Sequence, residues 1–197
     1  VRRAARYARR RAGVVSFAVV DERGRIHGWH RGSRYSSASV VKAMLLVAYL
    51  RKGGVRHRRL HGSEKATLGP MIRRSDNAAA SAIHGNVGNR GLRRLARRAG
   101  MKRFIPSPSW GGSQITARDQ ARFFFRLRGL IPERHRSYAL GLLRRIVPGQ
   151  RWGVPPGRPK GWRVHFKGGW YRSGGGWRVH QAALLRRGDR RLSIAVL

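Results

Sequence analysis

Hydrophobic positions follow two different periods along the chain, and the change of period organises it. Residues 14–21, VVSFAVVD, form a short apolar, β-branched run that reads as a strand. The turn signal DERGR at 21–25 and a second strand over 26–31 make a hairpin of this region. Ahead of it, residues 1–12 alternate Arg and Ala, a helix stopped by Gly13. Residues 39–51 are apolar almost throughout, with Ser39 near the start and Gly53-Gly54 past the end, the pattern of a buried helix. Helical patterns return at 76–84 and 89–99, broken by GNVGN, then in ARDQARFFFRLRGL after Thr116, and again over about 133–146. Thr116 followed by Asp119 three residues later is a helix-start pattern. PSPSWGGSQ at 106–114 and the proline-rich VPPGRPKG read as loops. Strand-like segments at about 163–170, 177–186 and 191–197, separated by glycine-rich turns, close the chain.

Strands at both ends and helices between them predict an α/β (α+β) fold. Its five-stranded antiparallel sheet is flanked by helices and carries an inserted all-helical region. The expected division is one catalytic domain over residues 1–197, with the sheet part at about 1–45 and 160–197 and the helical part at about 46–159.

Composition narrows the function classes. With 41% apolar residues, a 197-residue chain has enough to bury a core. No run of eighteen apolar residues exists, so no membrane span is expected. The basic opening resembles the head of a signal peptide, but VVSFAVV is short, contains a serine and leads into a turn. The chain has no cysteine, so disulfides and thiolate metal sites are excluded. Its eight histidines make no H-E-x-x-H pattern and no nucleotide-binding fingerprint is present, so neither metal nor cofactor is expected. GGWYRSGGGW lacks the context of a phosphate-binding loop and reads as a hairpin turn.

The net charge of +38 is spread over the whole chain. It implies non-specific attraction to polyanions at low salt. No zinc-finger spacing, RNP1-like segment or recognition helix accompanies it, so specific nucleic-acid binding is not expected.

One lysine stands out from this cationic background. Lys42 lies at the head of the apolar run VVKAMLLVAYL, where an unpaired ammonium would be costly. Ser39 is three residues before it, on the same helical face, so the two side chains are expected to meet. Two further segments add to this S-x-x-K pair: Ser75-Asp76-Asn77 ahead of an alanine-rich helix, and Lys167-Gly168-Gly169 on a late strand. Singly they read as a helix cap and a strand end. In this order they resemble the S-x-x-K, S-D-N and K-T-G motifs of the serine β-lactamases and penicillin-binding proteins. ITARD at 115–119 is similar to a segment of the class A β-lactamases, and the resemblance runs from about residue 3 to residue 197.

The resemblance implies a serine acyl-transfer enzyme acting on a small-molecule substrate, a β-lactam or a D-alanyl peptide, outside the cytoplasm. Ser39 is then the nucleophile and Lys42 its base. Ser75 relays a proton to the leaving nitrogen, and Lys167 supplies positive potential. Asn77 holds Lys42 and the substrate amide. The backbone N–H groups of Ser39 and of Trp170, next to Gly169, form the oxyanion hole. Apolar surroundings and the neighbouring cation Lys167 are expected to lower the basicity of Lys42.

Four departures accompany the match. Residues 78–115 hold no Asp or Glu, whereas class A enzymes carry there the glutamate that activates the deacylating water. Gly168 stands where K-T-G has a hydroxyl, leaving Arg172 or Arg178 as the cation for a substrate carboxylate. The span from Ser39 to Ser75 is short for the family. The chain also stops in a strand, where the family continues into a helix packed on the sheet. Acylation with impaired deacylation is the first expectation. The alternatives are a D,D-peptidase-like enzyme acting on peptidoglycan peptides and a non-enzymatic polyanion binder on the same fold.

Overall fold

The alternating segments at the two chain ends find each other in space. In the computed structural model, which describes residues 1–197, helix α1 (Arg2–Arg9) precedes strands β1 (Phe17–Val20) and β2 (Ile26–Trp29). The chain returns to the same sheet with β5 (Arg163–Ser173), β6 (Gly176–Arg187) and β7 (Arg190–Val196). The five strands lie in the order β2-β1-β7-β6-β5, and every neighbouring pair is antiparallel. The glycine-rich turn is the β5–β6 hairpin, closed by Ser173 opposite Gly176.

Between the two halves of the sheet the chain is mostly helical. Its helices are α2 (Lys42–Leu50), α3 (Gly53–Arg56), α4 (Gly62–Arg73), α5 (Asn77–Ala99), α6 (Ala117–Leu130) and α7 (Arg136–Arg144). All nine residues of α2 are buried, as its apolar composition on every face requires. It packs against α4, α5 and α7, which places it at the centre of the molecule. One face of the sheet carries Ala18, Leu184, Ala195 and Ser193 and meets α6, where the Ser193 hydroxyl donates to the Ala121 carbonyl. The opposite face carries Phe17, Val19, Ile194 and Val196, and α1 lies over its edge with an apolar groove between them.

Several expectations change in the structure. The predicted helix from Ser39 starts as a 3₁₀ turn, Ala38–Val41, and becomes α-helical at Lys42. The 76–84 and 89–99 segments are, as expected, two helical stretches of α5 broken within GNVGN, where Gly88 takes a non-helical φ of +62°. Thr116 accepts from the Asp119 backbone N–H, but the Asp119 carboxylate accepts from the backbones of Lys102 and Arg103 instead of returning to the cap. Helix α4 was not expected, because Gly62, Gly69 and Pro70 lower its intrinsic propensity. A reciprocal capping box offsets this: the His61 side chain accepts from the Glu64 backbone, and the Glu64 carboxylate accepts from the His61 N–H at 2.7 Å. A small second sheet pairs β3 (Arg34–Ser36) with β4 (Gln114–Thr116) and ties the approach to Ser39 to the start of α6.

Candidate active site

Three chain segments far apart in sequence deliver the site. The first is the 3₁₀ turn bearing Ser39. Ala38, just before it, is held at φ +46°, a left-handed conformation that costs a non-glycine residue ~1–3 kcal/mol. Two anchors over-determine this turn. The Ser37 hydroxyl donates toward the carbonyls of Trp110 and Gly111, and the Ser37 N–H donates to the Ser113 carbonyl at 2.8 Å. On the other side β5 runs past the turn so closely that a β-carbon on Gly169 would lie 2.6 Å from the Ser39 nitrogen.

The second segment joins α4 to α5. Ser75 is also left-handed, at φ +60°, and Asp76 caps α5 by accepting from the Ala79 N–H at 2.8 Å. Asn77 is the first residue of α5. The third segment is β5, from which the side chain of Lys167 projects toward Ser75.

Ser75 is where the two lysines meet. Lys42 donates to the Ser75 carbonyl, to the Ser75 hydroxyl at 3.3 Å and to Asn77 Oδ1 at 2.7 Å. Lys167 donates to the same Ser75 hydroxyl at 3.0 Å and to the Gly168 carbonyl at 2.7 Å. The contact expected between Lys42 and Ser39 is replaced: although the two share a face, all three donors of the ammonium are spent on Ser75 and Asn77.

Both lysines are inaccessible to solvent. Burial pushes Lys42 down to about 8, against a smaller opposing pull from the Asp76 carboxylate. Burial, and secondarily the charge of Lys42, pushes Lys167 down to about 7. Desolvation is thus the main cause at both lysines, as the apolar surroundings of Lys42 lead one to expect, and the repulsion between the two ammonium groups adds to it at Lys167.

The substrate-facing positions fall out of strand alternation. Opposite Lys167, Gly169 and Tyr171 on β5 stand Ala182, His180 and Arg178 on β6, so Arg178 lies on the Lys167 face beyond Gly169. Arg172 pairs with Trp177 and belongs to the opposite face. Trp170 also turns its indole to that opposite face, against Trp152 with ring centroids 5.6 Å apart, so only its backbone adjoins the Ser39 turn. A β-carbon on Gly168 would meet Trp170 and Gln181 at ordinary contact distances of 3.7 and 3.9 Å.

All seven carboxylates can be placed. Asp21 pairs with Arg25 and His27, Glu22 with Arg190, and Glu133 with Arg136. Glu64 is buried under Arg58 and Tyr49, Asp76 and Asp119 serve backbone N–H groups, and Asp189 lies in the exposed β6–β7 turn. None makes a hydrogen bond to Ser39, Lys42, Ser75 or Lys167. His57 and His61, spaced four apart, also serve local structure: His57 accepts from Arg56 and His61 caps α4.

Two neighbours of the site were not singled out from sequence. Trp110, in the 106–114 loop, lies over Lys42 with its ring centroid 4.7 Å from Nζ, and its indole N–H donates to Ser81 at 3.1 Å. His180, opposite Gly169, donates through Nε2 to the Ser36 carbonyl at 3.1 Å. Burial lowers it to about 4, so it is neutral and locks β3 to β6 beside the cleft.

This fold, with S-x-x-K, S-D-N and K-G-G brought to one cleft, is that of the serine β-lactamase and penicillin-binding protein superfamily. The chain belongs to the beta-lactamase enzyme family, whose model matches residues 59–197. Among solved structures, a beta lactamase from Xanthomonas campestris superposes with a TM-score of 0.82 at 18% identity, covering 99% of this chain and 86% of that one. A beta-lactamase from Sphaerobacter thermophilus gives 0.77 at 20% identity, covering 99% and 86%. A class A beta-lactamase from Mycobacterium abscessus gives 0.74 at 19% identity, covering 94% and 84%. No curated protein matches the chain by sequence. No helix is long and apolar enough to cross a membrane.

Proposed function

We propose that the protein is a β-lactamase-like serine hydrolase that is acylated at Ser39 by β-lactams or related acyl substrates and deacylates slowly. The observation that carries this reading is the shared hydroxyl of Ser75, held between two buried lysines of depressed basicity. A hydroxyl needs a nearby base to become a nucleophile, and an amine near 8 is neutral in an appreciable fraction at neutral pH.

In the proposed reaction Lys42, once neutral, keeps two N–H donors for Ser75 and Asn77 and turns its lone pair toward Ser39, taking the Ser39 proton as the oxygen adds to the acyl carbonyl. The backbone N–H groups of Ser39 and Trp170 receive the oxyanion charge. The oxygen of Ser75 accepts from both ammonium groups, which leaves its own O–H free to donate into the cleft. That proton goes to the leaving nitrogen as the carbon–nitrogen bond breaks, and Lys42 restores it through the same hydrogen bond. Asn77 fixes Lys42 and meets the substrate amide. Lys167 and Arg178 attract the substrate carboxylate.

Slow deacylation follows from the placement of the acids, each of which is engaged elsewhere or remote from the cleft. Kinship with the beta-lactamase enzyme family points to action outside the cytoplasm. The test is intact-mass spectrometry after incubation with a penicillin. The expected result is a single adduct on Ser39, absent in Ser39→Ala and persisting for minutes or longer. No adduct with any β-lactam or activated ester would refute the nucleophile assignment, and an adduct that clears within seconds would refute slow deacylation.

A further inference from the structure

A second cationic cavity, of about 470 Å³, opens where the C-terminal end of α7 meets the far end of the β5–β6 pair. Arg144, Arg163, Arg186 and Arg187 line it, together with Ser137 and the ring of His165, and no carboxylate does. It shares β5 with the candidate active site but opens at the start of the strand, where Arg163 and His165 lie four and two residues before Lys167.

The arrangement stores repulsion. Arg163 and Arg186 are directly opposed across β5 and β6, and Arg186 is directly opposed in turn to Arg191 on β7. Like charges in a cross-strand row destabilise a sheet. Arg191 is drawn aside over the Phe125 ring, at 4.5 Å, and Arg186 gives one donor to the Gly188 carbonyl at 3.2 Å. Arg163 and Arg187 have no hydrogen-bonded partner and Arg144 comes in from α7, so three guanidinium groups retain all their donors at the cavity rim.

His165 forms the floor. It is buried, and its Nδ1 donates to the Leu140 carbonyl at 2.9 Å, so the proton of the neutral ring sits on Nδ1 and Nε2 is left for the cavity. Burial, with Arg186, Arg144 and Arg163 as the charged groups facing it from three elements, holds the ring below its ordinary basicity.

We infer that this cavity is a binding site for a phosphate-class oxyanion, either free phosphate or the head of a phosphomonoester, gripped by Arg144, Arg163 and Arg186. Guanidinium forks match tetrahedral oxyanions in geometry, and such charge-assisted bonds are the strong ones. A bound dianion neutralises the cross-strand row and favours protonation of His165, whose Nε2–H then becomes a further donor. Binding and protonation are therefore linked. The inference does not depend on acylation at Ser39.

Calorimetric titration of the full chain with sulfate, at constant ionic strength set by chloride, tests it, because sulfate does not titrate in the working range. One equivalent is expected to bind, more tightly as pH falls through the histidine range, with displacement of the His165 ring signals in NMR. Arg163→Gln/Arg186→Gln is expected to lower the affinity at least tenfold, and Arg2→Gln/Arg6→Gln on the exposed face of α1, with the same charge loss, less than twofold. In chloride alone the cavity variant should melt above wild type, since repulsion is relieved. Equal weakening by both variants, or no saturable binding, would show bulk charge attraction only and overturn the site. Should the double variant not fold, Arg144→Gln carries the affinity test, and unmoved His165 signals in wild type overturn the proposal by themselves. Inorganic phosphate and phenyl phosphate then separate the sources: preference for the ester assigns a phosphomonoester, preference for the ion assigns free phosphate, and binding of neither refutes the phosphate class.

Discussion

Gly169 and Ser39 are packed backbone to backbone: a β-carbon on the glycine would stand 2.6 Å from the serine nitrogen and 2.8 Å from that of Val40. Both nearby atoms belong to the main chain, so no side-chain rotation relieves the clash. Gly169→Ala is expected to fold but to push β5 from the turn and open the oxyanion hole. Losing one such donor costs about 10²–10³ in rate. Stopped-flow acylation with a chromogenic cephalosporin measures this, and an unchanged rate would show that the strand–turn contact has no part in the chemistry.

Acylation should follow a bell-shaped pH profile. The rising limb belongs to loss of a proton from Lys42, near 8, and the falling limb to loss of charge on Lys167, near 7. Because the two share Ser75, the observed midpoints describe the pair rather than either residue. The maximum is expected between about 7 and 8, and Lys42→Met should lower the rate by at least about 10²-fold and remove the rising limb. A flat profile from pH 6 to 9 would contradict the assignment.

The same lysines make stability pH-dependent. In the unfolded chain both hold their protons up to about 10.4, whereas in the folded protein they lose them near 7 and 8. Between those limits the unfolded state binds more protons, so stability rises with pH, by up to about 1.4 kcal/mol per pH unit for each lysine. Urea unfolding from pH 7 to 10 should show this slope, and Lys167→Met should make it shallower.

Glu64 is predicted to be structural. It accepts from Tyr49 at 2.7 Å, from both terminal nitrogens of Arg58 at 2.8 Å and from the His61 N–H. The Arg58 pairing holds its carboxyl down at about 2. Glu64→Ala leaves the buried Tyr49 hydroxyl and the α4 cap unpartnered and should cost about 1–3 kcal/mol, as for a buried polar group that loses its hydrogen-bond partner. Lifetimes of the acyl-enzyme should stay within twofold, and a large change would identify Glu64 as the deacylation base.

Trp110 is expected to matter through water exclusion. Trp110→Ala exposes Lys42, and since burial is the main cause of its depression, its basicity should rise. The acylation profile then moves to higher pH and the rate at pH 7 falls several-fold, while Trp110→Phe keeps the wild-type profile. Identical profiles for both variants would remove Trp110 from the site.

What the sequence revealed depended on whether a pattern was local. The strands of the two chain ends and helix α2, apolar after Lys42, followed from period and composition. Helix α4 did not, since Gly69 and Pro70 argue against it and its stability comes from the His61–Glu64 cap and burial of Leu68, Met71 and Ile72. The pairing of β3 with β4 joins residues about eighty positions apart and has no local signature. At the site, Ser39, Lys42, Ser75 and Lys167 were visible because their motifs are contiguous triplets or quartets. The left-handed backbones of Ala38 and Ser75 were not, because neither residue favours that conformation and the surrounding structure imposes it. Trp110 was hidden for a related reason: long-range hydrogen bonds, from Ser37 to the loop and from the indole to Ser81, bring its ring above Lys42.

The Ser75 hydroxyl bridges two amines that burial alike holds well below the ordinary lysine range. With both weakened as bases, the shared oxygen offers a proton a path from one nitrogen to the other. A single surplus proton can therefore wait on either amine, be withdrawn when the nitrogen departs and be returned when the serine gives up its own. The cleft would thus complete acylation without exchanging charge with bulk water, consistent with the complete enclosure of both lysine side chains.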